Sequence, residues 1–197
     1  LVVWDFKNAA APVALASINT GGYNHSSWLT DDGQTMIYAE EVPAGQPLRS
    51  ISFENLGNNE IVLKKSFKTP LNAPNDLANV YHNVYIKDNL CYVASYQDGL
   101  QVFDIKDAAD PRQVAWFDSS PLDSVYKFTT PSGGQTVYAG AWGAYPWLPS
   151  GTILISDMQN GLFTVRLEPT IDVVNKKKLP AKIYPNPFED MITVDFG

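Results

Sequence analysis

Tyr92-Val93-Ala94-Ser95-Tyr96-Gln97-Asp98-Gly99-Leu100-Gln101-Val102-Phe103-Asp104-Ile105 reads as strand, tight turn, strand, and parts of this phrase recur elsewhere in the chain. Its first eleven residues align without gaps with Leu154-Ile155-Ser156-Asp157-Met158-Gln159-Asn160-Gly161-Leu162-Phe163-Thr164. The run from Phe103 to Pro111 aligns with Trp4 to Pro12, 99 residues upstream. A repeat at this spacing dictates architecture before any other signal does. In two copies an Asx-Gly pair, Asp98-Gly99 or Asn160-Gly161, lies between alternating apolar residues, which predicts a two-residue type I′ hairpin with positive φ at both positions.

The pattern extends in both directions. Val84-Tyr85-Ile86 and Leu90-Cys91-Tyr92-Val93 flank Lys87-Asp88-Asn89, and Trp28-Leu29 and Met36-Ile37-Tyr38 flank Asp31-Asp32-Gly33, so each unit gains a hairpin one step earlier. After Asp110-Pro111, Val114-Ala115-Trp116-Phe117 supplies a fourth strand. Four antiparallel strands every roughly 45 to 60 residues describe the blade of a β-propeller. No segment carries apolar residues at helical spacing over three turns, so the predicted fold class is all-β. Complete blades are expected from His25 to Lys68 and from His82 to Phe117, a third from near Trp142 to Leu167, and the third and fourth strands of a preceding blade at the N-terminus. About three and a half blades fall short of a comfortable ring, and the expectation is a part of a larger propeller. One blade departs from the repeat: between Tyr38 and Ser66 the Asx-Gly turn gives way to Glu40-Glu41-Val42-Pro43-Ala44-Gly45-Gln46-Pro47, which leaves its register open.

Composition limits the function classes. The 197 residues are 45% hydrophobic and 18% charged, enough apolar surface for a core and too little charge for a disordered chain. A net charge of −7 with a pI near 4.7, and no Lys/Arg stripe, argues against a nucleic-acid partner. The single cysteine, Cys91, has no partner for a disulfide in its own chain and is expected to be a buried, inert strand residue. No run of about 18 apolar residues suggests a membrane helix. Leu1-Val2-Val3-Trp4-Asp5 has neither the basic nor the apolar region of a signal peptide, so an exported protein is expected to begin upstream of this start or to have been processed.

Val93 to Ile105, followed by Asp110-Pro111, resembles the LVIVD repeat. The run Ala141-Trp142-Gly143-Ala144-Tyr145-Pro146-Trp147-Leu148-Pro149-Ser150-Gly151-Thr152-Ile153-Leu154-Ile155-Ser156-Asp157, closing at Gly161-Leu162-Phe163, is similar to the final blade of the choice-of-anchor B family. The resemblance covers 1–168 and implies an extracellular propeller with a C-terminal anchoring signal, without implying an activity. After a linker over 169–180, the stretch 181–197 resembles the start of the C-terminal sorting domain of type IX secretion cargo in Bacteroidetes. Tyr184-Pro185-Asn186-Pro187-Phe188 matches its entry motif, and Met191-Ile192-Thr193-Val194-Asp195-Phe196 its first β-sandwich strand. That implies the type IX secretion machinery as a partner and a place on the outer-membrane surface or outside the cell. Asp123-Ser124-Val125 fits a short O-glycosylation pattern at Ser124, with a plain loop as the default reading.

Few residues suggest chemistry. His25 and His82 are the only histidines, each at the entry of a blade's first strand, the strand that lines a propeller's central channel, with Asn83 beside the second. They could converge on a metal or an anionic ligand. The preferred reading is that each bonds the backbone of a neighbouring blade, because the corresponding place in the last blade holds Trp142, which has no ligand atom. No metal ligand is assigned. Asp31-Asp32-Gly33 and Asp107 to Asp110 lack EF-hand spacing, so no cofactor is assigned to them, calcium included, and turn chemistry explains them. Trp142, Tyr145 and Trp147 are candidates for a stacking surface, with packing at the end of the propeller core preferred. There is no Gly-x-Ser-x-Gly elbow and no base for Cys91. The first expectation is therefore a non-enzymatic binding or adhesion protein at the cell surface. The second is a secreted glycan-active hydrolase or lyase with its site at the channel mouth around His25 and His82.

Overall fold

The computed structural model describes residues 1–69, 80–121, 127–130 and 132–168. Strands β1 (Val2–Asp5) and β2 (Val13–Ser17) pair antiparallel. Strands β3 (Tyr23–Leu29), β4 (Thr35–Val42), β5 (Leu48–Ser52) and β6 (Val62–Phe67) form a four-stranded antiparallel sheet in chain order. A second such sheet follows from β7 (Asn83–Lys87), β8 (Leu90–Ala94), β9 (Leu100–Asp104) and β10 (Arg112–Phe117). A short hairpin that the repeat does not announce, β11 (Phe128–Thr129) with β12 (Gln135–Thr136), precedes a three-stranded sheet of β13 (Ala141–Tyr145), β14 (Thr152–Asp157) and β15 (Gly161–Arg166). Apart from the β11–β12 hairpin, these sheets are propeller blades, two complete (β3–β6 and β7–β10) and two partial (β1–β2 and β13–β15) among the described residues. The linker, the sorting-signal residues Tyr184 to Phe188 and Ser124 lie outside the described residues.

The repeat is legible at the level of single hydrogen bonds. The Asp5 and Asp104 carboxylates each accept the N–H two residues on, at 2.7 Å from Lys7 and 2.9 Å from Lys106. Asn8 and Asp107 do the same for Ala10 and Ala109. Both third strands therefore leave their blades through the same pair of Asx turns, the physical content of the Trp4/Phe103 alignment.

The expected two-residue type I′ turns are a different matter. Ala94 pairs with Leu100, so the loop at Asp98-Gly99 spans five residues, with positive φ at Tyr96 (43°) and Gly99 (68°) rather than at Asp98. Asp157 pairs with Gly161, which leaves a three-residue loop whose Gln159 and Asn160 N–H groups both bond the Asp157 carboxylate at 2.9 Å. The two-residue loop belongs instead to Asp88-Asn89, where Lys87 pairs with Leu90. Side-chain acceptors at Ser, Thr and Asp positions stabilise longer turns as well as Asx-Gly does, and only pairing register separates the two.

Blades join through apolar sheet faces. Ile37, Ala39 and Leu48 of the β3–β6 blade pack with Val84, Ile86, Cys91, Val93 and Phe103 of the next, all buried, with the Phe67 and Phe103 rings 5.1 Å apart. Cys91 is thus a packed core thiol, and burial pushes its ionisation far above the usual range. On the other face of the same blade, Tyr92, Leu100 and Val102 meet Ala144, Ile153 and Ile155. Each fully buried aliphatic of this kind contributes about 1.5–3 kcal/mol, so blade-to-blade contact is the main source of rigidity.

First strands β3, β7 and β13 form one edge of their sheets and neighbour one another. His25 lies against His82 and Trp28 against Tyr85, both pairs 57 residues apart, so β3 and β7 run in the same direction. Crosslinks between these strands set their spacing: the Val84 N–H donates to Ser26 Oγ at 3.1 Å, Asn83 Nδ2 to the Trp142 carbonyl at 3.0 Å and Lys87 Nζ to the Pro146 carbonyl at 3.1 Å.

Candidate functional site

His25, His82 and Trp142 stand at equivalent places of three successive blades and stack into one column. The His25 and His82 ring centroids are 4.3 Å apart, and those of His82 and Trp142 are 4.1 Å apart. Local backbone irregularity aims them there. Asn24 pairs with Glu40 and Ser26 with Ala39, which makes His25 the extra residue of a bulge; Ala141 pairs with Asp157 and Gly143 with Ser156, which gives Trp142 the same role. His82 follows suit, because its N–H donates at 2.8 Å to the Ala94 carbonyl while Asn83 already pairs with Ala94. Bulges turn a side chain out of the sheet's alternation, here toward the edge shared by the three first strands.

Glu41 completes the group. Its Oε2 lies 3.2 Å from His25 Nδ1, and its Oε1 accepts the Tyr96 hydroxyl at 2.5 Å. Glu41 is not among the site residues expected from the sequence. Glu41 arrives because β4 runs to Val42, three residues past Ala39, where the equivalent β8 stops at Ala94. The departure from the repeat at Glu40 to Pro47, read as an uncertainty of register, is the sequence signal for that extension. Register between β4 and β5 stays regular, with Thr35 opposite Ser52 and Tyr38 opposite Arg49, while the β3/β4 and β5/β6 pairings carry shifts at Asn24 and at Ser50.

Proton positions follow from partners. The Trp142 carbonyl can only accept, so His82 Nδ1, 2.7 Å away, carries the hydrogen and Nε2 keeps its lone pair. Burial lowers the His82 pKa, with the neighbouring His25 adding to the effect, so the ring is neutral at neutral pH. Burial, reinforced by the bond to Glu41, pushes the Tyr96 hydroxyl far above its ordinary value, which keeps it a hydrogen-bond donor. The Tyr96 backbone is held at φ 43° by a two-way bridge to Ala141, and Gly140 approaches so closely that a Cβ there would meet the Tyr96 carbonyl oxygen at 2.3 Å. His25 and Glu41 keep 28% and 16% of their side-chain surface exposed, whereas His82 is buried. The group is therefore accessible from the His25 side.

The other expected site residues divide. Asn83 donates to the Trp142 carbonyl. Tyr145 and Trp147 do not join Trp142. They form a second aromatic group with Trp28 and Tyr85, three residues further along the first strands, with Trp28 and Trp147 centroids at 4.9 Å and Tyr145 and Trp147 at 5.4 Å. Trp142 and Tyr145 are 46% and 47% exposed, so the preferred reading of these aromatics as core packing is corrected for both. The bulge at Trp142, and its registry with the exposed His25, lift that ring away from the apolar interface. His82 does bond a neighbouring blade's backbone, as the sequence reading prefers, and His25 bonds a side chain instead. Asp32 accepts Thr30 Oγ1 and the Gln34 N–H, and these bonds lower its pKa; Asp110 pairs with Arg112. Both acidic turns are occupied with turn closure.

No family model matches the chain, and no curated protein matches it. Solved structures do. The periplasmic gluconolactonase PpgL of Pseudomonas aeruginosa superposes with a TM-score of 0.58 at 15% identity, over 86% of this chain and 47% of its own. A protein from Bacteroides uniformis described as a candidate 6-phosphogluconolactonase superposes with a TM-score of 0.53 at 8% identity, over 83% of this chain and 44% of its own. The likeness establishes the propeller fold, and the chain spans less than half the length of either protein.

Proposed function

We propose that this propeller is an exported hydrolase of sugar-derived esters, the class that includes the lactones of sugar acids, with its site at the mouth formed by His25, Glu41, His82 and Trp142. The observation that carries this is the 3.2 Å contact between His25 Nδ1 and Glu41 Oε2 beside an exposed indole. Ester hydrolysis needs a base to take a proton from water and a donor near the carbonyl oxygen. An imidazole held by a carboxylate is the commonest such base, and it is oriented here by the same kind of contact that orients the histidine of acyl-transfer triads. Trp142 offers the face on which a pyranose ring stacks. Both superposing structures are named as lactonases of sugar acids, which supports the substrate class. Of the two functions expected from the sequence, the catalytic one is thus preferred over non-enzymatic adhesion.

Hydrolysis of glucono-1,5-lactone and a panel of sugar lactones and acetylated sugars by the full chain tests this reading. Turnover above the spontaneous rate, falling about 10²-fold or more in His25→Ala, is expected. A rate equal to the spontaneous one across the panel overturns it.

Export is a part of the same proposal. The resemblance of Tyr184-Pro185-Asn186-Pro187-Phe188 to a type IX entry motif, together with the LVIVD-like and choice-of-anchor B-like repeats, supports a route through the periplasm to the outer-membrane surface, and the neighbour PpgL is itself named as periplasmic. Deleting 180–197 in a Bacteroidetes host is expected to strand a folded propeller in the periplasm. Undiminished surface display of the truncated chain is the contrary result.

A further inference from the structure

The ligand-capable atoms of His25, Glu41 and His82 all lie within 4.8 Å of one another. We propose that these three side chains form a mononuclear site for a divalent transition metal of the zinc class, binding through His25 Nδ1, Glu41 Oε2 and His82 Nε2 with a further position open to solvent.

Four features carry the assignment. Donors placed about 2.0–2.2 Å from a tetrahedral metal are about 3.4 Å apart, and the His25–Glu41 edge already measures 3.2 Å. The remaining edges close by at most about 1.4 Å, within reach of side-chain rotation for a partly exposed histidine and glutamate. Each buried element is also held from behind. His82 donates Nδ1–H to the Trp142 carbonyl, which fixes the tautomer with Nε2 free, and the second Glu41 oxygen accepts Tyr96. Histidine ligands in metal sites almost always carry such an outer partner, and ligating carboxylates are in turn hydrogen-bonded. Donor chemistry selects the cation: two imidazoles and one carboxylate suit zinc and its neighbours, whereas calcium and magnesium take oxygen donors. Finally, the ligand count is that of catalytic rather than structural sites, with three protein donors, and the exposed flank of His25 leaves room for a water.

Metal binding here goes beyond the base assigned to His25 and is separable from it. A bound cation acidifies its own water and removes the need for a free imidazole, so activity would depend on metal, whereas base catalysis by His25 survives chelation.

The test is calorimetric titration of zinc chloride into the chelator-treated full chain, with cobalt chloride as an optical probe. One equivalent should bind, and cobalt should show the visible bands of four- or five-coordination. His25→Gln and Glu41→Gln are each expected to weaken binding at least about 10-fold while far-ultraviolet dichroism stays unchanged, and Tyr96→Phe about 10-fold through the carboxylate. Asp32→Asn and Asp107→Asn, on surface turns, should leave affinity as it is. No saturable binding, or binding that survives both ligand changes, overturns the metal site. Lactone turnover by metal-free protein, measured alongside, reads the hydrolase reading independently: turnover without metal binding sinks only the site, and metal binding without turnover on any panel member sinks only the activity.

Discussion

Glu41 and Tyr96 occupy the same position in successive blades, two residues beyond Ala39 and Ala94, and they bond each other at 2.5 Å. One repeat position thus supplies both the acceptor for His25 and the donor that holds that acceptor in place. An equivalence of this kind converts sequence repetition into a site, because equivalent positions, Glu41 inside β4 and Tyr96 just beyond β8, bring their side chains to the same edge.

Removing the Tyr96 hydroxyl leaves one oxygen of a mostly buried carboxylate without its donor. Tyr96→Phe is expected to cost about 1.5–3 kcal/mol, the range for a bond to a charged group. The urea midpoint of unfolding measures it, and an unchanged midpoint would mean that water replaces the hydroxyl.

His82 predicts a pH dependence. Its folded pKa lies below the ordinary 6.5, with burial as the main cause, so the unfolded chain takes up a proton that the folded chain refuses. Stability is complete above about 6.5 and declines as pH falls from there toward the folded pKa, by up to about 1.4 kcal/mol per pH unit from this one group. Urea midpoints at a series of pH values should show the decline, and His82→Asn should flatten it.

Gly140 and Gly151 form a matched pair. Both have positive φ, 113° and 78°, but a Cβ at Gly140 would strike the Tyr96 backbone, while one at Gly151 meets nothing within 4 Å. Gly151→Ala should cost only about 1 kcal/mol, for the backbone conformation. Gly140→Ala should cost clearly more and quench or shift the Trp142 fluorescence, since Ala141 would lose its bridge to Tyr96. Equal thermal shifts for the two variants would contradict the close approach.

Phe103 is 1% exposed and fills the interface between the two complete blades. Phe103→Ala is expected to destabilise by about 3–5 kcal/mol. Chemical denaturation gives the value, and a loss below about 1 kcal/mol would show that the blades barely depend on each other.

Strand alternation and repeat spacing suffice for the all-β class, the positions of the blades and the equivalence of His25, His82 and Trp142, because both are local properties written residue by residue. Sequence alone could not determine the turns at Asp98-Gly99 and Asn160-Gly161, where the same residues suit loops of several lengths and pairing register chooses among them. Nor could it bring Glu41 to the site or keep Trp142 out of the core. Those outcomes depend on how far β4 outruns β5 and on a bulge that turns one residue toward the axis, and both are fixed only when whole blades pack against each other. Chemistry at this mouth is a product of neighbouring blades, so no single repeat contains it.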